Sequence, residues 1–228
     1  MTGVQTCALP IYNMSAVIQA IIGCSSYLQT PIPSPSLAVD VSVLDAHPSV
    51  TTGIFRRDYN TGYFNDDMTW FQTQSPSFSG TDNYVNIGTS LNDLAIDNYS
   101  IQWTGYFIPP VTGTYQFSIT SDDASYMWIG SEAITNFTTI NSSINNGNAH
   151  GDNEVQSGLY GLTAGKAYPI RFQYGEAGGS ATMFARYTND NGATWNYFLD
   201  GGNISQFKYI SSTTEGYLPF RSEEHTSE

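Results

Sequence analysis

The sequence predicts an all-β fold, an antiparallel β-sandwich, on three observations. The chain has 228 residues, 40% hydrophobic and 14% aromatic, which is enough for one packed core and short for two domains. From Val50 onward, short segments alternate apolar and polar residues and are separated by Gly, Asn, Asp and Pro. None of them carries the apolar stripe, with a period of about 3.6 residues, that marks an amphipathic helix.

Six segments of the chain read as strands. They are "NYSIQWTGYFIP" (98–109), "GTYQFSIT" (113–120), "ASYMWIG" (124–130), "AYPIRFQY" (167–174), "ATMFARYT" (181–188) and "TWNYFL" (194–199). In the third, Tyr126 and Trp128 share one face while Met127 and Ile129 share the other, as expected inside a sandwich. "PPVTG" and "NDNG" are turns, because Pro, Asn and Gly suit the backbone angles of turns. The Asn- and Gly-rich stretch from Glu132 to Ser157 is predicted to be a long loop, of a length usually tied to function.

The charge of the chain limits its partners. There are 20 Asp and Glu against 7 Lys and Arg, a formal net charge of -13, and no run of basic residues. Phosphate backbones bind through clustered Lys and Arg, so the sequence argues against nucleic acid as a partner. With 12% of residues charged, the surface must be rich in Asn, Ser, Thr, Gly and Tyr, which suits neutral, hydroxyl-rich partners.

The two ends of the chain differ from its middle. Residues 1–11, "MTGVQTCALPI", and residues 221–228, "RSEEHTSE", resemble in-frame translations of a common sequencing adapter and are expected not to be native. The chain then reads as a metagenomic fragment, cut from a larger multidomain protein. We expect a truncated upstream segment with a Pro-rich linker at 12–49, the sandwich at 50–210, and the start of a second linker at 211–220.

The upstream segment leaves two interpretations open. Its apolar run, Ala16 to Cys24, is shorter than the ~20 residues of a membrane helix, so no membrane insertion is expected. "IIGCSS" has the small-residue pattern of a bacterial lipoprotein signal, in which Cys24 would be lipidated, but no basic region precedes it. The alternative is a segment without such a role.

"SDDASYMWIG" places two adjacent carboxylates, Asp122 and Asp123, directly after one predicted strand and before the next. They have two interpretations: turn caps that accept backbone N–H groups, or ligands of a hard cation that relieves their mutual repulsion. The sequence shows neither a Ser-His-Asp set nor the ligand spacing of a metal hydrolase. We therefore assign no catalytic residue and expect no enzyme activity.

The stretch "WTGYFIPPVTGTYQFSITSDDASYMWIG" (103–130) resembles the protective-antigen-type β-sandwich, the PA-fourteen family with its GLEYA relatives. A second match is "LTAGKAYPIRFQYGEAGGSATMFARYT" (162–188), and "GIFRRDYNTGYF" (53–64) is a weaker one. The family includes bacterial toxin components, fungal flocculins, surface adhesins and domains of some glycosidases. The resemblance implies a jelly-roll-like sandwich.

The resemblance also implies a site. In the lectin members, the paired aspartates are joined by a cis peptide and hold one Ca²⁺ at the tip of the sandwich, where vicinal sugar hydroxyls complete its shell. Carried over, the metal ligands are Asp122 and Asp123, with Glu176 in "YGEAGG" at a place where many lectin members have an amide. A third carboxylate would tighten Ca²⁺ binding and weaken the field at a sugar hydroxyl.

Further ligand-binding candidates lie in the two neighbouring loops. They are His150, Asp152 and Glu154 in the first loop, and Gly178, Gly179 and Ser180 in the second. Because "EAGGSA" replaces the aromatic sugar loop of the flocculins, mannose specificity does not carry over.

The expected function is that of a Ca²⁺-dependent carbohydrate-binding module, a lectin or adhesin. Its partners would be glycans on cell surfaces or polysaccharide. The parent would be an extracellular protein, displayed on a cell or virion surface, and either a microbial surface protein or a viral structural protein. The alternatives are a structural or assembly sandwich without metal and an accessory domain of a glycoside hydrolase.

Overall fold

Two antiparallel sheets pack against each other in the computed structural model, which describes residues 32–87, 97–200 and 204–219. This confirms the predicted all-β sandwich. The strands are β1 (Val39–Asp40), β2 (Val50–Thr52), β3 (Ile54–Tyr59), β4 (Phe78–Asp82), β5 (Tyr99–Phe107), β6 (Gly113–Asp122), β7 (Ser125–Ile129), β8 (Ile144–Asn146), β9 (Asn153–Gln156), β10 (Tyr160–Leu162), β11 (Lys166–Glu176), β12 (Thr182–Thr188), β13 (Leu199–Asp200), β14 (Ile204–Ser205) and β15 (Phe207–Ile210). The helices are α1 (Val41–Asp45) and α2 (Trp70–Thr73), and Ser131–Ala133 form a 3-10 turn.

The larger sheet has nine strands among the described residues. In it β2, β15, β5, β11, β7 and β8 lie side by side, β1 pairs with β11, and β3 joins β5 to β4. The central strand is β11, which pairs along its length with β5 and over five residues with β7. This register brings Glu176, at the end of β11, beside the start of β7.

The smaller sheet is built around β6. Its first half pairs with β10 and its second half with β9, while β12 pairs along the opposite edge. The last residue of β6, Asp122, lies opposite Thr182 at the start of β12. Strands β13 and β14 form a separate pair.

The main core lies between the two sheets. Alternation on β11 turns Ile170, Phe172 and Tyr174 inward, and the larger sheet meets Phe117 and Ile119 from the smaller one. Aromatic rings dominate the contact, and each of the following lies within 6.2 Å of Phe107, centroid to centroid: Tyr115, Phe117, Tyr187, Phe198 and Phe207. Offset and edge-on ring pairs of this kind stabilise a core beyond their buried area.

Core packing leads to a first prediction. Replacing Ile119, which is fully buried, with valine is expected to lower the free energy of unfolding by about 0.5–1.5 kcal/mol, because one methylene is lost and a small void remains. Ile140→Val makes the same chemical change at a side chain that is 96% exposed, and is expected to stay within about 0.5 kcal/mol of the parent. Urea denaturation measures both. Equal effects at the two sites would contradict this placement of the core.

The outer face of the larger sheet is covered as well. Tyr126 and Trp128 turn outward and Met127 and Ile129 inward, as the sequence predicts, and the outward pair packs in a second cluster with Tyr59 and other aromatic residues. Tyr106 of β5 also lies on this outer side, whereas Ile101 and Trp103 of the same strand face the core between the sheets. The sheet is therefore buried on both faces.

The compact unit includes residues outside 50–210, the range that we expect for the sandwich itself. It begins at Ser34, and Leu44 of α1 and Tyr217 near the C-terminus are buried together with Tyr106 in a third cluster. Cys24 and both adapter-like ends lie outside the described residues. Among those that are described, no helix has the length and apolar character needed to cross a membrane.

Two local predictions from the sequence were wrong. The stretch from Glu132 to Ser157 is not one loop, because it contains β8 and β9, whose backbones complete the edges of the two sheets despite their Asn-rich sequences. "TWNYFL" is not a continuous strand, since only its last residue, Leu199, belongs to one. The "NDNG" turn does form, with positive φ angles at Asn191 and Gly192.

Candidate functional site

The acidic doublet lies at one tip of the sandwich, where the chain passes from one sheet to the other. Strand β6 ends at Asp122 and β7 begins at Ser125, and the Asp122–Asp123 peptide is cis, as the resemblance implies. Because Tyr174 of β11 pairs with Ser125, the end of β11 lies beside the doublet. The sheet register thus brings Glu176 to residues more than 50 positions earlier in the chain.

Three carboxylates converge at this tip. Asp122, Asp123 and Glu176 each offer one oxygen, and these oxygens lie within 4.8 Å of one another. Asp123 is 4% exposed and Glu176 is 1% exposed, while Asp122 is half-buried. We call these three residues the acidic cluster.

The carboxylate of Asp123 is held by two loops. Its Oδ1 accepts a hydrogen bond from the backbone N–H of His150 at 2.7 Å, and its Oδ2 accepts one from the backbone N–H of Ala177 at 2.8 Å. Charge-assisted bonds of this kind are stronger than neutral ones. Asp123 therefore fixes both loops relative to the cluster.

Tyr174 supports the other two members of the cluster. Its hydroxyl lies 2.6 Å from the backbone carbonyl oxygen of Asp122 and 3.0 Å from Oε2 of Glu176. Reasoning from the sequence assigned Tyr174 no role at the site. The signal was present, because Tyr174 and Glu176 are two residues apart on one strand and so share a face.

The electrostatics of the cluster are unfavourable when it holds only negative charge. Burial raises the pKa of Glu176 to about 7, and the charges of Asp123 and Asp122 act in the same direction, while the Tyr174 hydroxyl and the nearby Gly178 backbone oppose them. Burial, and then the charges of Asp123 and Asp152, also raise the pKa of Asp122, with His150 opposing. A cation at this point would remove the repulsion.

The donor set fits a hard divalent cation. Ca²⁺ prefers carboxylate and carbonyl oxygens, and the cluster supplies three carboxylates around one point. One of their oxygens, Oε1 of Glu176, is buried and has no hydrogen-bond partner among the described residues. A buried carboxylate oxygen without a partner is costly unless something binds it.

The predicted residues of the first loop occupy different places. The backbone of His150 contacts Asp123, but its imidazole nitrogens lie 2.8 Å from the carbonyl oxygen of Gly151 and 3.2 Å from that of Asn146. Asp152 is exposed and close enough to Asp122 to affect its pKa.

The structure does not bring the Glu154 carboxylate to the cluster. This residue lies on β9, where its side chain contacts Ser118 at 2.5 Å and Arg186 at 3.1 Å.

The second loop stands beside the cluster with its surface open. Gly178, Gly179 and Ser180 are exposed, and the backbone N–H of Gly179 donates to Asp97 at 3.2 Å. Gly179 has φ +107°, and a Cβ atom there would meet none of the described residues within 4 Å.

Two further residues, which reasoning from the sequence did not identify, border the site. The hydroxyl of Tyr63 is buried without a hydrogen-bond partner among the described residues; burial first, and then the charges of Asp66, Asp123 and Glu176, raise its pKa. Asp66 accepts a hydrogen bond from the backbone N–H of Asn148 at 2.9 Å and so ties the first loop down. Nothing in the local sequence of "GYFNDD" signals this contact, because it joins residues 82 positions apart.

The comparisons with known proteins agree with the resemblance to PA14 and GLEYA domains that the sequence motifs carry. Residues 99–189 match the family model described as the GLEYA domain. Both matched motifs and the acidic cluster fall within this range.

The chain also resembles individual proteins. It is 32% identical over 92 residues to flocculation protein FLO10 of Saccharomyces cerevisiae, a match that covers 35% of this chain and 8% of the yeast protein. The PA14 domain of the antifreeze protein MpAFP superposes with a TM-score of 0.52 at 16% identity, over 71% of this chain and 91% of that domain. The epithelial adhesin 9 A domain of Candida glabrata, solved in complex with Galb1-4GlcNAc, superposes with a TM-score of 0.52 at 17% identity, over 82% of this chain and 100% of that chain. At these identities the two superpositions establish the shared fold.

Proposed function

We propose that this domain is a Ca²⁺-dependent carbohydrate-binding module of a surface-displayed adhesin. The observation that carries the proposal is the acidic cluster, in which three carboxylate oxygens lie within 4.8 Å of one another and Oε1 of Glu176 is buried without a hydrogen-bond partner among the described residues. The relatives support the same reading. One is a flocculation protein, and another is an adhesin domain that was solved with a galactose-containing disaccharide.

Asp122, Asp123 and Glu176 would hold the cation. When bound, Ca²⁺ would offer its remaining positions to hydroxyl oxygens of a sugar. The protein's own contribution is to keep the carboxylates in place: two backbone N–H groups orient Asp123, and the Tyr174 hydroxyl lies against Glu176. Because these groups are already ordered, little further ordering is needed on binding.

Specificity would come from the two loops that flank the cluster. The segment from Glu132 to Ser157 contributes the His150 and Asp152 region, and the segment from Gly175 to Ser180 contributes the exposed glycines. Both touch Asp123 through backbone N–H groups, so a change in either loop would alter what lies above the cation. The surface location and the larger parent protein are part of the same proposal.

A catalytic role is not part of the proposal. The three carboxylates converge on one point, whereas glycoside hydrolysis requires two carboxylates on opposite sides of a substrate cleft, about 5–10 Å apart.

The proposal is tested on chelator-treated protein from which the chelator has been removed. Adding Ca²⁺ to about 100 times its Kd is expected to stabilise the fold by about 2.7 kcal/mol, which corresponds to a rise in Tm of roughly 5–10 °C for a domain of this size. On a glycan array, binding of galactosides or other glycans is expected with Ca²⁺ and to disappear after its removal. An unchanged Tm together with glycan binding that ignores Ca²⁺ would refute the metal dependence. A Ca²⁺-dependent Tm with no glycan bound would refute carbohydrate binding.

A further inference from the structure

A cavity lies on the outer face of the larger sheet, apart from the acidic cluster. It has a volume of about 670 Å³, within the ~300–1,000 Å³ range of small-molecule sites. Its floor includes Arg57 of β3, Gln102 of β5 and Arg171 of β11, which point away from the core between the sheets. Glu176 lies five residues further along β11 than Arg171 and on the opposite face of the strand, so this cavity is separate from the acidic cluster.

The cavity concentrates positive charge in an acidic protein. Two of the 7 basic residues of the chain line it, and both are nearly inaccessible, with Arg57 at 7% and Arg171 at 2% exposure. One carboxylate, Glu215, also lines the cavity and lies between them. The three groups together carry one net positive charge.

Glu215 shows how the pair of arginines binds a carboxylate. Its two oxygens accept bonds from Arg57 at 2.6 Å and 3.0 Å, and one of them also accepts from Arg171 at 2.8 Å. The Glu215 side chain is 43% exposed, so it enters from the solvent side. The pair of arginines thus already binds one carboxylate, which belongs to the protein itself.

The arginines keep unused donors. Arginine has five N–H donors, and the described contacts of Arg57, to Glu215 and to the carbonyl oxygen of Thr214, use three of them. Its Nε is buried and has no partner among the described residues. Since an unsatisfied buried donor is unfavourable, the cavity is not saturated by the protein's own groups.

The walls suit a ring with hydroxyl groups. Tyr59, Phe71 and Phe137 supply flat apolar surface, while Gln102, Gln74 and Ser79 supply neutral donors and acceptors. The ring of Phe137 lies 3.9 Å from the Arg171 guanidinium and holds it in place. From the charge, the spare donors and the walls together, we infer that this cavity is a second, cation-independent site for a sugar that carries a carboxylate, such as a uronic acid.

The test uses the whole protein in metal-free buffer and compares galacturonate with galactose, which differ in the carboxylate at C6. Ligand-observed NMR is expected to detect galacturonate with a Kd of about 1 mM and galactose at least ~10-fold more weakly. Acetate carries the charge without the ring and is expected to bind at least ~10-fold more weakly than galacturonate. Equal binding of galacturonate and galactose, equal binding of galacturonate and acetate, or no binding at about 10 mM would each overturn the inference.

Variants locate the site without replacing the buried arginines. Ser79→Tyr places a large side chain at the exposed rim of the cavity and is expected to weaken galacturonate binding at least ~10-fold. Ser75→Tyr, at an exposed position outside the cavity, is expected to leave galacturonate binding unchanged. Glu215→Gln removes the competing negative charge and is expected to raise the affinity for galacturonate about 3- to 10-fold. An Asp122→Asn, Asp123→Asn double variant is expected to bind galacturonate as the parent does. If that double variant lost galacturonate binding while Ser79→Tyr had no effect, the sugar would bind at the acidic cluster. The inference of a second site would then be overturned, and the proposed lectin function would still stand.

Discussion

Replacing Asp122 with asparagine is expected to lower the affinity for Ca²⁺ by about 100-fold, with the fold retained. The substitution removes one of three negative charges around the cation, and at a partly exposed site such a loss amounts to about 2–4 kcal/mol. Among the described contacts, the Asp122 side chain makes no hydrogen bond, so asparagine leaves no partner unsatisfied. Isothermal titration of Ca²⁺ measures the change.

Two other variants sharpen this result. Glu154→Gln removes a carboxylate whose described contacts are Ser118 and Arg186, and its Ca²⁺ affinity is expected to remain within about twofold of the parent. Asp123→Asn is expected to lose Ca²⁺ and also to loosen both loops, because its amide nitrogen cannot accept the N–H that one carboxylate oxygen now accepts. If Asp122→Asn and Glu154→Gln bound Ca²⁺ equally well, the doublet would be a turn cap and not a metal site.

Arg171→Met is expected to destabilise the fold by about 3 kcal/mol. The guanidinium is 2% exposed and donates to the carbonyl oxygen of Ala133, to Gln102 and to Glu215, so its removal leaves buried acceptors without a donor. The figure is at the low end for a broken buried pair, because Glu215 is 43% exposed and water can solvate it. Urea denaturation gives the value.

A double-mutant cycle separates the ion pair from the rest of this network. Combining Arg171→Met with Glu215→Gln is expected to show a coupling of about 1–2 kcal/mol. Additive effects would mean that Arg171 acts through its contacts with Ala133 and Gln102 alone.

The same pair gives a pH dependence. Burial alone would raise the pKa of Glu215, but hydrogen bonds and charges from Arg57 and Arg171 lower it below its ordinary value. Because the carboxylate has a lower pKa in the folded state, its stabilising effect is present above the unfolded pKa of about 4.3 and is lost as the pH falls toward the folded value. Glu215→Gln should therefore flatten the acid limb of the stability profile below about pH 4.

The sequence predicted the sandwich because its signals are local. Alternation within β7 gave the correct faces for Tyr126, Trp128, Met127 and Ile129, and the "NDNG" turn was legible from the preference of Asn and Gly for positive φ. The same reasoning failed for β8 and β9, since Asn-rich segments become strands only when a neighbouring strand edge is available to pair with.

The candidate site was partly visible for the same reason. Two adjacent aspartates are a local pattern, and the family resemblance supplied Glu176, which the sheet register does bring to them. Tyr63 and Asp66 were not visible, because their contacts with the site span many tens of residues and depend on how one loop packs over Gly175.

By itself, then, the sequence determined the all-β class, most of the strands and the acidic doublet, because each depends on residues close together in the chain. Only the tertiary structure decided which loops grip Asp123, that Tyr174 lies against Glu176, and that Arg57 and Arg171 meet on the floor of one cavity. The two arginines are 114 positions apart and come together through the pairing of β3 and β11 with β5. Strand pairing of this kind is set by the packing of the whole sheet, and no local pattern in the sequence encodes it.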